Sequence, residues 1–350
     1  MVKTKKVGII GHFGGRENLQ DGQTVKTQIL YKELKTATDW RFLCVDTYYK
    51  SKNPIKLLWK TFCCAVSCKD VIVLLSGNGM KLYFPLLYLL TKLKKTRVYH
   101  DVIGGNLSEY VERYPKFKKY LSSFKVNWVE TKKMKTALKE QGVSNAEVLP
   151  NFKRLNILPI EDYSEYTQEP FKFCTFSRVM KEKGIEDAAL TVERINAEQG
   201  RRVCELDIYG NVDPSYVIKF DEFMKGRTDA VKYKGSVPFD KSVEVISEYY
   251  ALLFPTCWRG EGFAGTIVDA FSAALPVIAT DWNANAEIIQ NGTNGIIYPS
   301  KEHKDLYSAV RWATENADKI NEMKPECIKT AKKYRPEKYI KKIVEFIDEI

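Results

Sequence analysis

The chain has 350 residues, 44% hydrophobic and 28% charged, with 55 Lys and Arg against 44 Asp and Glu. That length suits two domains of about 100–200 residues, and the balance excludes a disordered chain, a collagen and a multi-span membrane protein. Residues 1–160 hold 29 basic and 12 acidic side chains while residues 161–350 carry an acidic excess of six, so the first half is expected to face a polyanion: nucleic acid, an anionic membrane or a phosphorylated substrate.

Met1 to Lys6 imitates the basic start of a signal peptide. The apolar stretch that follows stops at Gly11, short of the roughly 7–15 residues an h-region needs. It predicts a first strand over Lys6–His12 and gives no reason to expect export. Further strands are expected at Arg41–Asp46, Val71–Leu75, Arg97–His100 and Val126–Glu130. Between them the apolar periodicity predicts helices at Gln23–Leu34, Lys56–Cys68, Lys81–Lys94, Ser108–Ser122 and Thr131–Glu140. The longest apolar run, Leu82–Leu90, has nine residues and contains Pro85, against the roughly 20 a membrane-spanning helix needs.

The second half restarts the rhythm. Strands are expected at Phe171–Phe176, Glu205–Tyr209, Val231–Gly235, Ala251–Phe254 and Pro276–Thr280. The helices are placed at Ile185–Glu198, Ser215–Lys225, Asp240–Glu248, Gly265–Ala273 and Lys304–Asn316. The acidic, aperiodic stretch Pro150–Pro170, with prolines at its margins, reads as a linker. Strand–helix alternation implies α/β architecture with parallel sheets: two Rossmann-like domains, 1–160 and 161–333, facing across a cleft, followed by an amphipathic helix over 334–350. In that last segment Tyr339, Ile343, Phe346 and Ile347 share one side. The eight cysteines are scattered; Cys63, Cys64 and Cys68 lack the partners of a zinc site, so reduced thiols are expected and no metal.

Three segments carry candidate chemistry. Gly11-His-Phe-Gly14-Gly15 follows the first strand, where glycines either let backbone N–H groups approach an anion or simply make a tight turn. Ser177-Arg178 to Lys183-Gly184 follows the first strand of the second half. Its two cations suit a diphosphate, or the segment is a solvated basic loop. In Phe254 to Phe271 a strand ends, a loop presents Glu261 and a helix begins near Gly265, with Asp269 in its first two turns. Carboxylates accept from sugar hydroxyls, while the helix N-terminus over Gly262, Phe263, Ala264 and Gly265 can take phosphate oxygens.

The last segment resembles the E-x7-E signature of family-4 retaining glycosyltransferases of the GT-B fold, with Glu261 and Asp269 in the acidic positions. Arg178 and Lys183 with Gly184, Asp207-Ile-Tyr-Gly210, Gly235-Ser-Val237, Glu287-Ile-Ile289 and the Asn291-Gly and Asn294-Gly pairs are similar to the family pattern. So are Asp21–Thr27, Tyr99–Gly105 and Leu149–Phe152 in the first half. The resemblance implies transfer of a sugar from a UDP- or GDP-type donor, with retention, in cell-surface polysaccharide synthesis, and a last helix, 334–350, that crosses back to the first domain; Arg178 and Lys183 can substitute for a metal, so neither metal nor other cofactor is expected. It gives Glu261 the sugar hydroxyls, Asp269 (shorter by a methylene than the usual Glu) the ribose, and Arg178 with Lys183 the diphosphate. His100 falls near the family's reacting centre, with Asp101 beside it, and the choice between the two stays open.

Lys56–Phe62 and Leu82–Lys95 mix apolar, aromatic and cationic residues. They read either as buried faces of Rossmann helices or as segments lying on anionic lipid. With the basic first half, they lead to the expectation of a cytoplasmic enzyme, peripheral at the inner face of the plasma membrane, whose acceptor is a glycan or lipid-linked saccharide. An NAD-type oxidoreductase, suggested by Val7–His12, leaves Glu261, Arg178 and Lys183 without roles. A nucleic-acid-binding protein finds no base-reading motif.

Overall fold

The computed structural model describes residues 4–17, 19, 21–300 and 303–349. The chain divides into two compact units, Met1–Arg154 with Pro336–Ile350, and Leu155–Arg335.

The first unit is built on six strands: β1 (Lys6–Gly11), β2 (Arg41–Asp46), β3 (Asp70–Leu74), β4 (Arg97–Asp101), β5 (Val126–Val129) and β6 (Ala146–Val148). They pair in the order β2-β1-β3-β4-β5-β6, all parallel. Asp-Val-Ile-Val-Leu of β3 is buried throughout, as expected of a strand covered on both faces. Val71 and Val73 pack with Leu57, Phe84 and Leu87 from the helices Pro54–Ser67 and Gly77–Leu93. Ile72 and Leu74 face the opposite layer, with Leu30 and Leu34 of the helix Gly22–Ala37. The helix Pro336–Asp348 closes that layer: Ile343 and Ile347 are buried and Tyr339 stacks on Phe152 at 5.6 Å. Arg154 fixes its start by pairing with Glu33 and Glu337 at 2.7 Å each. The final helix therefore returns to the first unit, on the face its apolar side anticipates.

The second unit contains β7 (Phe171–Phe176), β8 (Cys204–Tyr209), β9 (Val231–Gly235), β10 (Ala251–Phe254), β11 (Val277–Thr280) and β12 (Gly295–Tyr298). The order is β12-β11-β10-β7-β8-β9, again parallel. Strands β7 to β9 are laid outward in one direction and β10 to β12 in the other. The order thus reverses between β7 and β10, and the crevice beyond the carboxyl ends of those two strands is where open α/β sheets receive ligands.

Several elements differ from expectation. The helix expected over Ser108–Ser122 is two, Leu107–Arg113 and Lys116–Ser123, parted at Pro115. The helix Ala317–Ala331 and strands β6 and β12 were not anticipated. The acidic stretch read as a linker lies against the second unit: Tyr166 N–H donates to Asn321 Oδ1 at 3.1 Å, and Leu158 N–H to the Ser272 carbonyl at 2.8 Å. The boundary between the units is accordingly at Arg154, ahead of residue 160.

Candidate active site

Strand β7 ends at Phe176 and the chain turns through Ser177-Arg178 into a short 3₁₀ turn, Lys181–Lys183. Gly184 closes that turn at φ +67°. A Cβ there would strike the Pro255 carbonyl, so only glycine lets the β7 and β10 loops approach. The loops are then stitched together: Cys257 N–H donates to the Glu182 carbonyl at 2.8 Å.

Lys183 and Glu261 meet here. The Lys183 ammonium donates to Glu261 Oε2, and both side chains are buried. Thr256 Oγ1 donates to the same oxygen at 3.0 Å. The ammonium also lies 5.3 Å from the Phe254 ring centre and 5.1 Å from that of Trp258, near enough for cation–π attraction. Neighbouring loops lock the frame: Thr280 Oγ1 donates to the Thr256 carbonyl at 2.7 Å, Trp282 Nε1 to the Trp258 carbonyl at 2.8 Å and Asn283 Nδ2 to the Glu261 carbonyl at 3.0 Å. Thr256, Trp258 and Asn283 were missed in the sequence. The one available signal was the crowding of polar and aromatic residues immediately after two buried strands.

The helix Gly265–Ser272 starts four residues after Glu261, and no side chain caps its N-terminus. Thr266 Oγ1 ties it to the β7 end by donating to the Phe176 carbonyl at 2.6 Å. Gly262, Phe263 and Ala264 are buried, and the Phe263 ring packs edge-on against Tyr334 at 4.9 Å. Asp269 is also buried; its Oδ1 accepts from Ser242 Oγ at 3.0 Å.

Arg178 stands apart from the Lys183–Glu261 pair. Its side chain is half exposed and pairs with Asp213 at 3.5 Å. Two donations from Ser215, and then Arg178, hold the Asp213 carboxyl below its ordinary pKa. The two cations expected to act together, both in the loop after β7, are thus held by different acids: Asp213 in the loop after β8 and Glu261 in the loop after β10.

In the first unit the outcome differs. Gly14 and Gly15 adopt φ +88° and +66°, but the Gly15 N–H donates to Asp46 Oδ2 at 2.8 Å and the Phe13 N–H to Asp46 Oδ1 at 2.9 Å. Asp46 at the end of β2 therefore takes N–H groups expected to meet a diphosphate. The turn-forming reading describes Gly15. His12, just before the loop, bonds Thr24 Oγ1 at 2.8 Å through Nδ1.

His100 and Asp101 are both fully buried on β4. His100 Nδ1 lies 3.1 Å from Asn127 Oδ1, with Phe84 edge-on at 5.0 Å. Burial lowers its pKa to about 4, against the opposing pull of the Asn127 bond. Asp101 pairs with Lys26 at 2.8 Å, and Lys26 also holds Glu130 at 2.8 Å. Burial raises the Asp101 pKa, with Lys26 opposing; burial alone would lower that of Lys26, but the two carboxylates raise it. Alternation along a doubly covered strand sends one residue into each helix layer, and neither side chain is exposed.

Residues 170–316 match the family model described as "Glycosyl transferases group 1". Among solved structures, sucrose-phosphate synthase from Thermosynechococcus elongatus superposes with a TM-score of 0.78 at 13% identity, over 99% of this chain and 98% of that one. The fold is GT-B. Anabaena HepE in complex with UDP and glucose is similar at a TM-score of 0.74 and 14% identity, over 99% of this chain and 100% of that one. The lipopolysaccharide outer core galactosyltransferase WaaB, in its apo form, shares this GT-B fold at 0.67 and 16% identity, over 98% and 99% of the two chains. No curated protein matches the chain in sequence. Within the GT-B fold, the matched family segment contains the Lys183–Glu261 pair and the helix Gly265–Ser272 together.

Proposed function

We propose that this protein is a retaining glycosyltransferase moving a hexose from a UDP- or GDP-sugar to a glycan acceptor. The observation that carries the reading is the buried Lys183–Glu261 pair at the β7/β10 reversal, beside a helix N-terminus without a side-chain cap. A lone buried carboxylate would repel a diphosphate. Paired with an ammonium, it accepts from sugar hydroxyls while the cation, Arg178 and the N–H groups of Gly262–Gly265 face the leaving diphosphate. As the glycosidic bond to the donor breaks, negative charge grows on that diphosphate, and fixed cations and helix N–H groups offset it without reorganising. These groups make a divalent metal unnecessary, so the enzyme uses neither metal nor other cofactor. Asp269, steadied by Ser242, reaches the ribose directly or through a water.

The acceptor is a lipid-linked saccharide of cell-surface polysaccharide synthesis, met at the cytoplasmic leaflet by the basic first unit. Nucleic acid is not a partner. Structures holding UDP and glucose within this fold support the donor class. The deciding experiment is transfer and donor hydrolysis across a nucleotide-sugar panel, in excess chelator, with Glu261→Ala alongside. The reading expects one donor to turn over in chelator and Glu261→Ala to lose at least about a hundredfold. A panel without turnover, or a strict need for Mg²⁺ or Mn²⁺, rejects it.

A further inference from the structure

Helices on the surface of an α/β unit are normally apolar on the side that meets the sheet and polar on the other. Two neighbouring helices of the first unit break this rule. In Pro54–Ser67, Leu57, Thr61, Cys64 and Ala65 are buried toward the sheet. The opposite side carries a second apolar stripe at i, i+4, i+7 and i+11: Ile55, Trp59 and Val66 are exposed, and Phe62 between them is half-buried against the core. Ile55 is 82% exposed and Trp59 65%, and the Trp59 and Phe62 rings stack at 5.5 Å. The helix Gly77–Leu93 carries Leu82, Leu86, Leu89 and Leu93 at the same spacing; Leu82 and Leu86 are half-buried against the core, and Leu89 and Leu93 are 49% and 69% exposed. The two helices are in contact and pack on the same core cluster, so the exposed residues of both stripes lie on the outside of one helix layer.

The charge around that face has one sign. Between Asp46 and Asp101 the chain carries ten Lys and Arg and a single acid, Asp70. Asp70 is buried and held by Arg97 at 2.5 Å, so it offers nothing outward. Lys52, Lys56, Lys60, Lys92, Lys94 and Lys95 are all exposed. A second copy docking through this face would set lysines against lysines, and a protein partner would have to supply many acids around an apolar centre. A bilayer of anionic lipid meets both demands at once, because apolar side chains enter the acyl boundary while lysines remain among phosphates.

We propose that the paired outer stripes of the helices Pro54–Ser67 and Gly77–Leu93 are a membrane-docking face for anionic lipid, with Ile55 and Trp59 as its inserting tip. The assignment deepens the reading of a lipid-linked acceptor and rests on it for its biological purpose. The face itself is independent of the donor residues, all of which lie in the second unit. The test is sedimentation of the full chain with phosphatidylcholine vesicles, with or without roughly 30% phosphatidylglycerol, at about 0.05 M and 0.5 M salt. Binding is expected only with the anionic lipid, weakening as salt rises. Ile55→Glu/Trp59→Glu should cut the partition coefficient about tenfold or more. Ile218→Glu, an equally exposed position of the second unit, should leave it unchanged, and donor hydrolysis should stay at the wild-type rate in both variants. No binding to anionic vesicles, equal binding to neutral ones, or a Trp59-dependent dimer in sedimentation velocity without lipid binding would overturn the proposal. Each of those results leaves the donor reading standing, and a dead donor panel with intact vesicle binding would do the reverse.

Discussion

Lys183 and Glu261 are each other's compensation, so their substitutions should not behave alike. Lys183→Met removes the cation and leaves a buried carboxylate that must take up a proton or stay uncompensated, which costs about 3–5 kcal/mol for a buried pair broken on one side. Glu261→Gln keeps the shape and leaves the ammonium an oxygen acceptor. In urea unfolding Lys183→Met should therefore lose clearly more stability than Glu261→Gln, while both lose turnover. Losses below about 1 kcal/mol in both variants would deny that the pair is buried together. His100 gives a pH prediction with a definite sign. Its folded pKa of about 4 lies below the ordinary 6.5, so between those values the unfolded chain binds a proton that the folded chain refuses. Its penalty is absent above pH 6.5, grows as pH falls toward 4, and reaches about 3 kcal/mol there at about 1.4 kcal/mol per unit. His100→Gln should show a flatter loss of stability from pH 6.5 to 4.5 than wild type, and parallel curves would contradict the burial. The sequence could not reveal this, because a histidine ending an apolar strand reads equally as a ligand-facing group or as core. The neighbours that decide, Asn127 and Phe84, come from distant elements.

At the scale of elements, legibility followed length and periodicity. The strands β1, β7 and β10 and the helix Gly265–Ser272 stand out as apolar runs, and the last three position the residues proposed to hold the donor. The strands β6 and β12 have three and four residues, too few for alternation to register, and both are edge strands whose place the sheet decides. The helix Ala317–Ala331 was hidden by Pro325 within it, a residue that ordinarily argues against a helix interior. The linker was misread because an acidic, aperiodic segment looks the same whether it floats or is pinned by one side chain such as Asn321. The final helix was legible because Tyr339, Ile343 and Ile347 fall on one stripe, and its docking should carry measurable stability. Ile343→Ala is expected to cost about 2–4 kcal/mol, read as a lower urea midpoint with an unchanged m-value. A loss below about 0.5 kcal/mol would mean that the stripe does not hold the helix down.

At the scale of the whole molecule, the two units have separate sheets and cores, and the residues assigned to the donor cluster in one of them. Arg178, Lys183, Glu261 and Asp269 all belong to Leu155–Arg335. The glycine turn of the first unit has given N–H groups to Asp46, so its claim on the diphosphate is the weaker. The six tryptophans divide evenly, with Trp40, Trp59 and Trp128 in the first unit and Trp258, Trp282 and Trp312 in the second. Trp258 lies beside Lys183 and can report on the site. A ligand that binds only the folded state stabilises it by about 2.7 kcal/mol at a hundred times its dissociation constant, and that gain should appear where the ligand binds. Hydrogen exchange with saturating UDP or GDP should therefore slow in the segments 177–184 and 256–266 and leave 12–17 unaffected, and Trp258→Phe should diminish a nucleotide-induced change in fluorescence. Protection confined to 12–17 would move the diphosphate to the first unit and return Gly14 and Gly15 to the role their spacing first suggested.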